Sequence, residues 1–160
     1  MTIKIGDKIP AATLKVMTKD GPANATTDEL FGSGKVVMFS VPGAFTPTCS
    51  ARHLPGFVDH AGQIAAKGVD RIVCIAVNDV FVMDAWGKSA NVGDKIVMAA
   101  DGNGEFTRAL GLELDASGFG MGKRGQRFAV ITQDGVVTAI NVEAPGEFKV
   151  SSAEFVLGQL

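Results

Sequence analysis

Cys49 sits in the segment Thr46-Pro47-Thr48-Cys49, just after the apolar, β-branched run Val36-Val37-Met38-Phe39-Ser40-Val41. That run reads as a buried strand, and Pro42-Gly43 breaks it. Thr46 is placed to cap a helix, with Pro47 at the first helical position, where its missing N–H is not needed. Cys49 then falls in the first turn, where backbone N–H groups are unpaired and the helix dipole is positive. Both effects favour the thiolate, which is the nucleophilic form of cysteine. A dithiol redox site at such a turn would read Cys-x-x-Cys; here its first position is Thr46. A single thiolate beside a hydroxyl donor suits cleavage of an O–O bond. The sulfur attacks one oxygen, and fixed donors stabilise charge on the departing one. The bland alternative is a buried structural thiol, a common fate of free cysteine. The helix-start position and the flanking prolines favour the reactive reading.

The other chemistry-bearing residues are more dispersed. His53 lies one helical turn after Cys49 and shares its face, which raises a Cys–His hydrolase as an alternative, but the sequence supplies no orienting acid. His60 reads as a helix-surface residue. Cys74 sits inside Arg71-Ile72-Val73-Cys74-Ile75-Ala76-Val77, and its apolar neighbours favour an inert buried thiol. Two His and two Cys so spread do not make a structural zinc site.

The elements that must position Cys49 follow from periodicity and punctuation. Ala12–Met17 reads as an early strand, and Thr26-Thr27-Asp28-Glu29 as a capping box opening a short helix. Lys35–Val41 is a strand leading into a helix from Pro47 to Lys67, stopped by Gly68, with a kink or bulge predicted at Pro55-Gly56. Arg71–Val77 is a second buried strand, Val80–Ala90 a helix, Ile96–Ala99 a third strand and Glu105–Leu110 a short helix. Arg127–Thr132 and Val136–Val142 flank the hairpin signal Gln133-Asp134-Gly135. Ser151-Ser152-Ala153-Glu154 reads as a capping box for a last helix. This order predicts an α/β protein: a central mixed β-sheet, parallel strands extended by an antiparallel hairpin, with helices on both faces. It is the outline of a thioredoxin-like fold in a single domain, residues 1–160.

Composition excludes several classes. Hydrophobic residues make up 46% of the 160, so the chain is not disordered. The net charge is −2 with no basic stripe, which argues against nucleic acid as a partner. No apolar run approaches the ~18 residues of a membrane span, and Met1–Asp7 lacks a signal-peptide core. Two cysteines suggest a reducing compartment, with the cytoplasm expected.

Pro42-Gly43-Ala44-Phe45-Thr46-Pro47-Thr48-Cys49-Ser50, followed by His53-Leu54-Pro55-Gly56-Phe57, resembles the peroxidatic loop of the peroxiredoxins, and more narrowly their type II, PrxV-like group of plants, animals and bacteria. The resemblance continues through Val77-Asn78-Asp79, Phe81-Val82-Met83, Ala85-Trp86, Asp101–Phe106 and Arg127-Phe128. It implies a thiol peroxidase that reduces hydrogen peroxide and alkyl hydroperoxides without metal, haem or flavin. Cys49 would be the peroxidatic cysteine, oxidised to sulfenic acid. Thr46 would hydrogen-bond the peroxide, Pro42 would shield the sulfenate, and Arg127 would hold thiolate and peroxide. Without the resemblance, Arg127 reads as an ordinary surface cation. Arg124 would support the site from the same loop, and backbone N–H groups near Thr48 and Cys49 would complete an anion pocket.

Cys74 lies 25 positions beyond Cys49, the spacing of the cysteine pair in plant-like type II members, where the second is proposed as the resolving thiol. A strand-buried Cys74 would need local unfolding to reach Cys49, so both readings of it stay open. Animal members carry a C-terminal resolving cysteine, but Phe148–Ser152 has none. The resemblance therefore implies an external reductant, glutathione with glutaredoxin, rather than thioredoxin. It also implies a homodimer in which some of Phe45, Phe81, Val82, Met83 and Trp86, otherwise core residues, form the contact. The rivals are a thiol–disulfide oxidoreductase, which the missing Cys-x-x-Cys disfavours, and a redox sensor or holdase-like protein with slow turnover.

Overall fold

Alternating side chains on one sheet divide the core into two layers. In the computed structural model, which describes residues 1–160, strand β1 (Thr13–Thr18) and β2 (Gly21–Thr26) form a hairpin, followed by helix α1 (Thr27–Phe31) and strand β3 (Lys35–Ser40). After the Cys49 loop come α2 (Leu54–Ala66), β4 (Val69–Ala76), α3 (Val80–Ser89), β5 (Val97–Ala100) and α4 (Glu105–Leu110). A small hairpin of β6 (Glu113–Asp115) and β7 (Lys123–Gly125) precedes β8 (Phe128–Gln133), β9 (Val136–Val142) and α5 (Ala153–Leu157).

The main sheet has seven strands in the order β2-β1-β5-β4-β3-β8-β9. Its centre is parallel, β5-β4-β3, and both flanks are antiparallel. Parallel strands are buried on both faces and so read as unbroken apolar runs; β3 and β4 do so. Val37 and Phe39 of β3 face one layer, with Leu54, Phe57 and Ile64 of α2, Met83 and Trp86 of α3, and Val156 of α5. Val36 and Met38 face the other, with Phe31 of α1 and Phe106 and Leu110 of α4. This is the expected mixed sheet with helices on both faces. No helix is long and apolar enough to cross a membrane.

Several boundaries differ from the sequence reading, each for a local reason. β2 was not expected, because Gly21-Pro22-Ala23-Asn24 has turn composition; an edge strand tolerates such residues. The last helix is capped by Ser152, whose hydroxyl accepts from Phe155 N–H, not by Ser151. Ser151 is turned inward instead, its hydroxyl donating to Glu143 Oε2 at 2.6 Å. The long helix does run from the Pro47 region to Lys67 and Gly68, the latter with φ +88°. Its irregularity lies just before Pro55. Residues Cys49–His53 form a wide π turn, closed by the Leu54 N–H on the Cys49 carbonyl. Pro55 has no N–H to continue a normal ladder onto the preceding turn, which accounts for the local rewinding.

Candidate active site

The sheet delivers the Cys49 loop at the carboxyl ends of the parallel strands. Val41 N–H still bonds the Ile75 carbonyl of β4 at 3.2 Å. The chain then turns at Pro42-Gly43, where Ala44 N–H is tied to the side chain of Asn78 at 2.9 Å. Phe45 takes a left-handed conformation, φ +63°, uncommon for a bulky residue. Thr46 opens the helix through its carbonyl, which accepts from Ser50 N–H at 2.9 Å. Its hydroxyl does not cap the helix, as the sequence suggested, and does not touch the sulfur. It donates to the Gly43 carbonyl at 2.7 Å. On the next turn, Trp86 Nε1 donates to Ser50 Oγ at 3.0 Å and holds the helix start onto α3.

Cys49 is fully buried and reduced. Its Sγ accepts a hydrogen bond from Arg127 Nη2 at 3.0 Å. The two residues are 78 apart in sequence; what joins them is the antiparallel β3–β8 register, which places Phe128 opposite Ser40 and so Arg127 beside the loop that follows β3. No backbone carbonyl accepts from the N–H groups of Thr48 or Cys49, so this helix end presents free donors near the sulfur. Pro42, Thr48 and Arg127 line one cleft of about 320 Å³, together with Leu114, Phe119 and Glu143. No three metal-ligating side chains converge anywhere in the protein.

His53 proves to be part of this site, but not as a base for the thiol. Arg127 Nη1 lies 2.7 Å from His53 Nδ1, and His53 Nε2 lies 2.9 Å from the Ser151 carbonyl. A guanidinium only donates and a carbonyl only accepts. Nδ1 is therefore the bare acceptor, and Nε2 carries the proton. Burial, and then the Arg127 charge, lower the His53 pKa to about 3. The ring is neutral, with its lone pair engaged by arginine, which removes the Cys–His hydrolase reading. It is packed among Phe39, Phe57 and Phe148, with centroids at 4.9, 5.7 and 4.9 Å. Two guanidinium groups in turn lie near the Phe148 ring, Arg52 at 4.7 Å and Arg127 at 5.9 Å from its centroid.

Arg124 is not at the sulfur. It donates to the carbonyls of Met121 and Val77 at 2.9 and 3.0 Å, bracing the loop against the end of β4. Cys74 is in register with Phe39 and Met98 at the centre of the sheet, fully buried. Burial, and secondarily the nearby Cys49 charge, push its thiol well above the usual range. Of the apolar set, Met83 and Trp86 are buried while Phe45 and Phe81 are exposed, at 54% and 64%. His60 is half-buried between α2 and α5, on the Gly56 carbonyl at 2.8 Å.

A sequence model of the Redoxin family matches residues 4–157. "Peroxiredoxin-2E-2, chloroplastic" of Oryza sativa subsp. japonica is 51% identical, over 99% of this chain and 73% of the relative. Peroxiredoxin-2B of Arabidopsis thaliana is 47% identical, over 99% and 98%. Among solved structures, reduced Prx3 of Vibrio vulnificus in complex with hydrogen peroxide superposes with a TM-score of 0.95 at 53% identity, covering 99% of both chains. The chain belongs to the Redoxin family and is a peroxiredoxin of the type II group. Peroxiredoxins are thiol-dependent peroxidases, so the activity implied by the loop around Cys49 is the activity of this family.

Two parts of this peroxiredoxin's site escaped sequence reasoning. His53 was visible as a helical neighbour of Cys49, but its partners are 74 and 98 residues away. Glu143 and Ser151, which hold the segment under His53, carried no signal beyond a serine pair that resembled a cap.

Proposed function

We propose that Cys49 performs the peroxidase reaction on hydrogen peroxide and small alkyl hydroperoxides, within one domain formed by the whole chain. The observation that carries this is the 3.0 Å contact between Arg127 Nη2 and Cys49 Sγ beside the cleft lined by Pro42 and Thr48. The sulfur attacks the nearer peroxide oxygen, an S–O bond forms and the O–O bond breaks. The departing oxygen takes the bonding pair and, from solvent, the proton that the thiol gave up on ionising, leaving as water or alcohol, and sulfur is oxidised to sulfenic acid. Arg127 is placed to donate to the sulfur and to the peroxide oxygens together. Thr46, its own proton committed to Gly43, offers lone pairs to a peroxide O–H. The free N–H groups of Thr48 and Cys49 stabilise charge on the leaving oxygen. Pro42 shields the sulfenate from bulk solvent and oxidant. The test is steady-state peroxide consumption by Cys49→Ser, which should be abolished; full retention would refute the assignment.

An external thiol restores Cys49: glutathione condenses with the sulfenic acid, releasing water, and glutaredoxin or a second glutathione cleaves the mixed disulfide. The position of Cys74 at the centre of the sheet supports an inert role for it. Mass spectrometry after one equivalent of peroxide, with and without glutathione, separates a Cys49–glutathione adduct from a Cys49–Cys74 disulfide, and the latter would overturn this reading. The exposed Phe45 and Phe81 support a homodimer, which sedimentation at micromolar concentration tests. Two unpaired thiols suit a reducing compartment such as the cytoplasm; fractionation of cells checks it.

A further inference from the structure

We propose that Glu143 is a positioning residue for the peroxide reaction, setting the aim of the Arg127 guanidinium on Cys49 through Ser151 and His53. The inference rests on the role proposed above for Arg127. Glu143 follows β9 and is buried, 7% exposed. Its backbone N–H donates to the Arg127 carbonyl at 3.0 Å, so it prolongs the β8–β9 ladder to the residue that bears the guanidinium.

Its side chain acts on a different segment. One carboxylate oxygen, Oε2, accepts from the backbone N–H groups of Lys149, Val150 and Ser151, each at 2.8 Å, and from the Ser151 hydroxyl at 2.6 Å. Three successive amides converging on one oxygen form an anion nest. Burial works against the charge, but the bonds from Ser151, Lys149 and Val150 outweigh it and lower the Glu143 pKa. The nest fixes the 149–151 segment, and the Ser151 carbonyl receives the proton on His53 Nε2. That leaves Nδ1 to accept from Arg127 Nη1, and Nη2 of the same planar group then meets Cys49 Sγ. Because the guanidinium is rigid, fixing one nitrogen fixes the direction of the other. The hydrogen bonds close a ring: Arg127 backbone, Glu143 backbone and carboxylate, Ser151, His53, Arg127 side chain. Phe148, just before the nest, is set by the same segment against His53 and Arg127. A charge-assisted nest is stronger than one built on an amide oxygen, so Gln should weaken the device and Ala should remove it.

The test compares Glu143→Ala, Glu143→Gln, Ser151→Ala, Arg127→Ala and the Glu143→Ala/Arg127→Ala double variant. Single-turnover oxidation by hydrogen peroxide is followed through Trp86 fluorescence, and the His53 tautomer through its ring ¹⁵N shifts. We expect Glu143→Ala to be slowed about tenfold, the worth of one charge-assisted bond, with Glu143→Gln intermediate. The His53 signal should move from a fixed Nε2–H tautomer toward a mixture, and the double variant should be no slower than Arg127→Ala, since both changes break one ring. Should Glu143→Ala not fold, Glu143→Gln and Ser151→Ala carry the same readouts. Wild-type rate and tautomer in the Glu143 variants, with Arg127→Ala still slow, would overturn the inference alone. Slowing with an unchanged His53 signal, or a double variant slower by the product of both effects, would do so too. A wild-type rate in Arg127→Ala would instead bring down the underlying reading of the site.

Discussion

Cys49 and Cys74 are both thiols with no solvent exposure, and both belong to the same apolar layer. Yet the protein treats them oppositely. Cys74 lies mid-strand, laddered between β3 and β5, and its cross-strand neighbours Phe39 and Met98 are apolar. Burial then works against its charged form. Cys49 lies where strand gives way to helix, with unspent N–H groups beside it and a guanidinium nitrogen at 3.0 Å. On the role proposed for Cys49, reactivity follows what the backbone leaves unpaired at an element boundary, not exposure.

The contrast is broken most completely at the sulfur itself. Cys49→Ser should lose all peroxidase activity in a steady-state assay, whereas the corresponding change at Cys74 should not. Next in size is Arg127→Ala. Removing one preorganised donor to a reacting centre costs about 10²–10³ in rate, and stopped-flow oxidation should show a loss of that order. A rate within threefold of wild type would mean that the free amides of Thr48 and Cys49 suffice.

The same contrast explains what could be read from the sequence. Cys49 was legible because its chemistry is local: an apolar run, a Pro-Gly break, a Thr-Pro start and a thiol one turn later all lie within fifteen residues. β3, β4 and the β8–β9 hairpin were legible because buried strands and tight turns leave strong compositional marks. Arg127 was not legible from its own neighbourhood, since its place beside Cys49 is made by β3–β8 pairing across the chain. His53 was noticed for the wrong partner, because a helix wheel reveals Cys49 and conceals Ser151. β6 and β7, three residues each, are too short for a period to show and read as one glycine-rich loop. Long-range register and side-chain-to-backbone bonds carry the rest of the site, and neither writes a pattern into a short window.

A buried, neutral His53 has a consequence in pH. Its pKa of about 3 lies below the ordinary 6.5, so the unfolded chain binds the proton more readily than the folded one. Stability contributed by this group is fully present above pH 6.5 and falls as pH drops toward 3, by roughly 1.4 kcal/mol per pH unit. Glu143, whose pKa is lowered from 4.5, adds a loss of the same sign only at the acid end. Between pH 6.5 and about 4.5, therefore, urea denaturation of wild type should show a slope that His53→Gln lacks. An equal slope in both would place the acid sensitivity elsewhere.

The smallest expected effect falls on Cys74, and it is the one that sharpens the contrast. Cys74→Ala keeps an apolar side chain in the sheet and removes only a sulfur from a packed site. Loss of that packing should cost about 1–2 kcal/mol, visible as a lowered urea midpoint with unchanged slope. Serine is the harsher substitution there, since it places a hydroxyl at a fully buried position. If Cys74 is inert, the alanine variant should consume peroxide with glutathione within twofold of the wild-type rate, and its Cys49 should form the same glutathione adduct. A steep fall in turnover, with the first oxidation step intact, would instead mark Cys74 as the resolving thiol. It would also mean that β4 opens during the catalytic cycle, because Cys74 in its folded position is held in register between Phe39 and Met98.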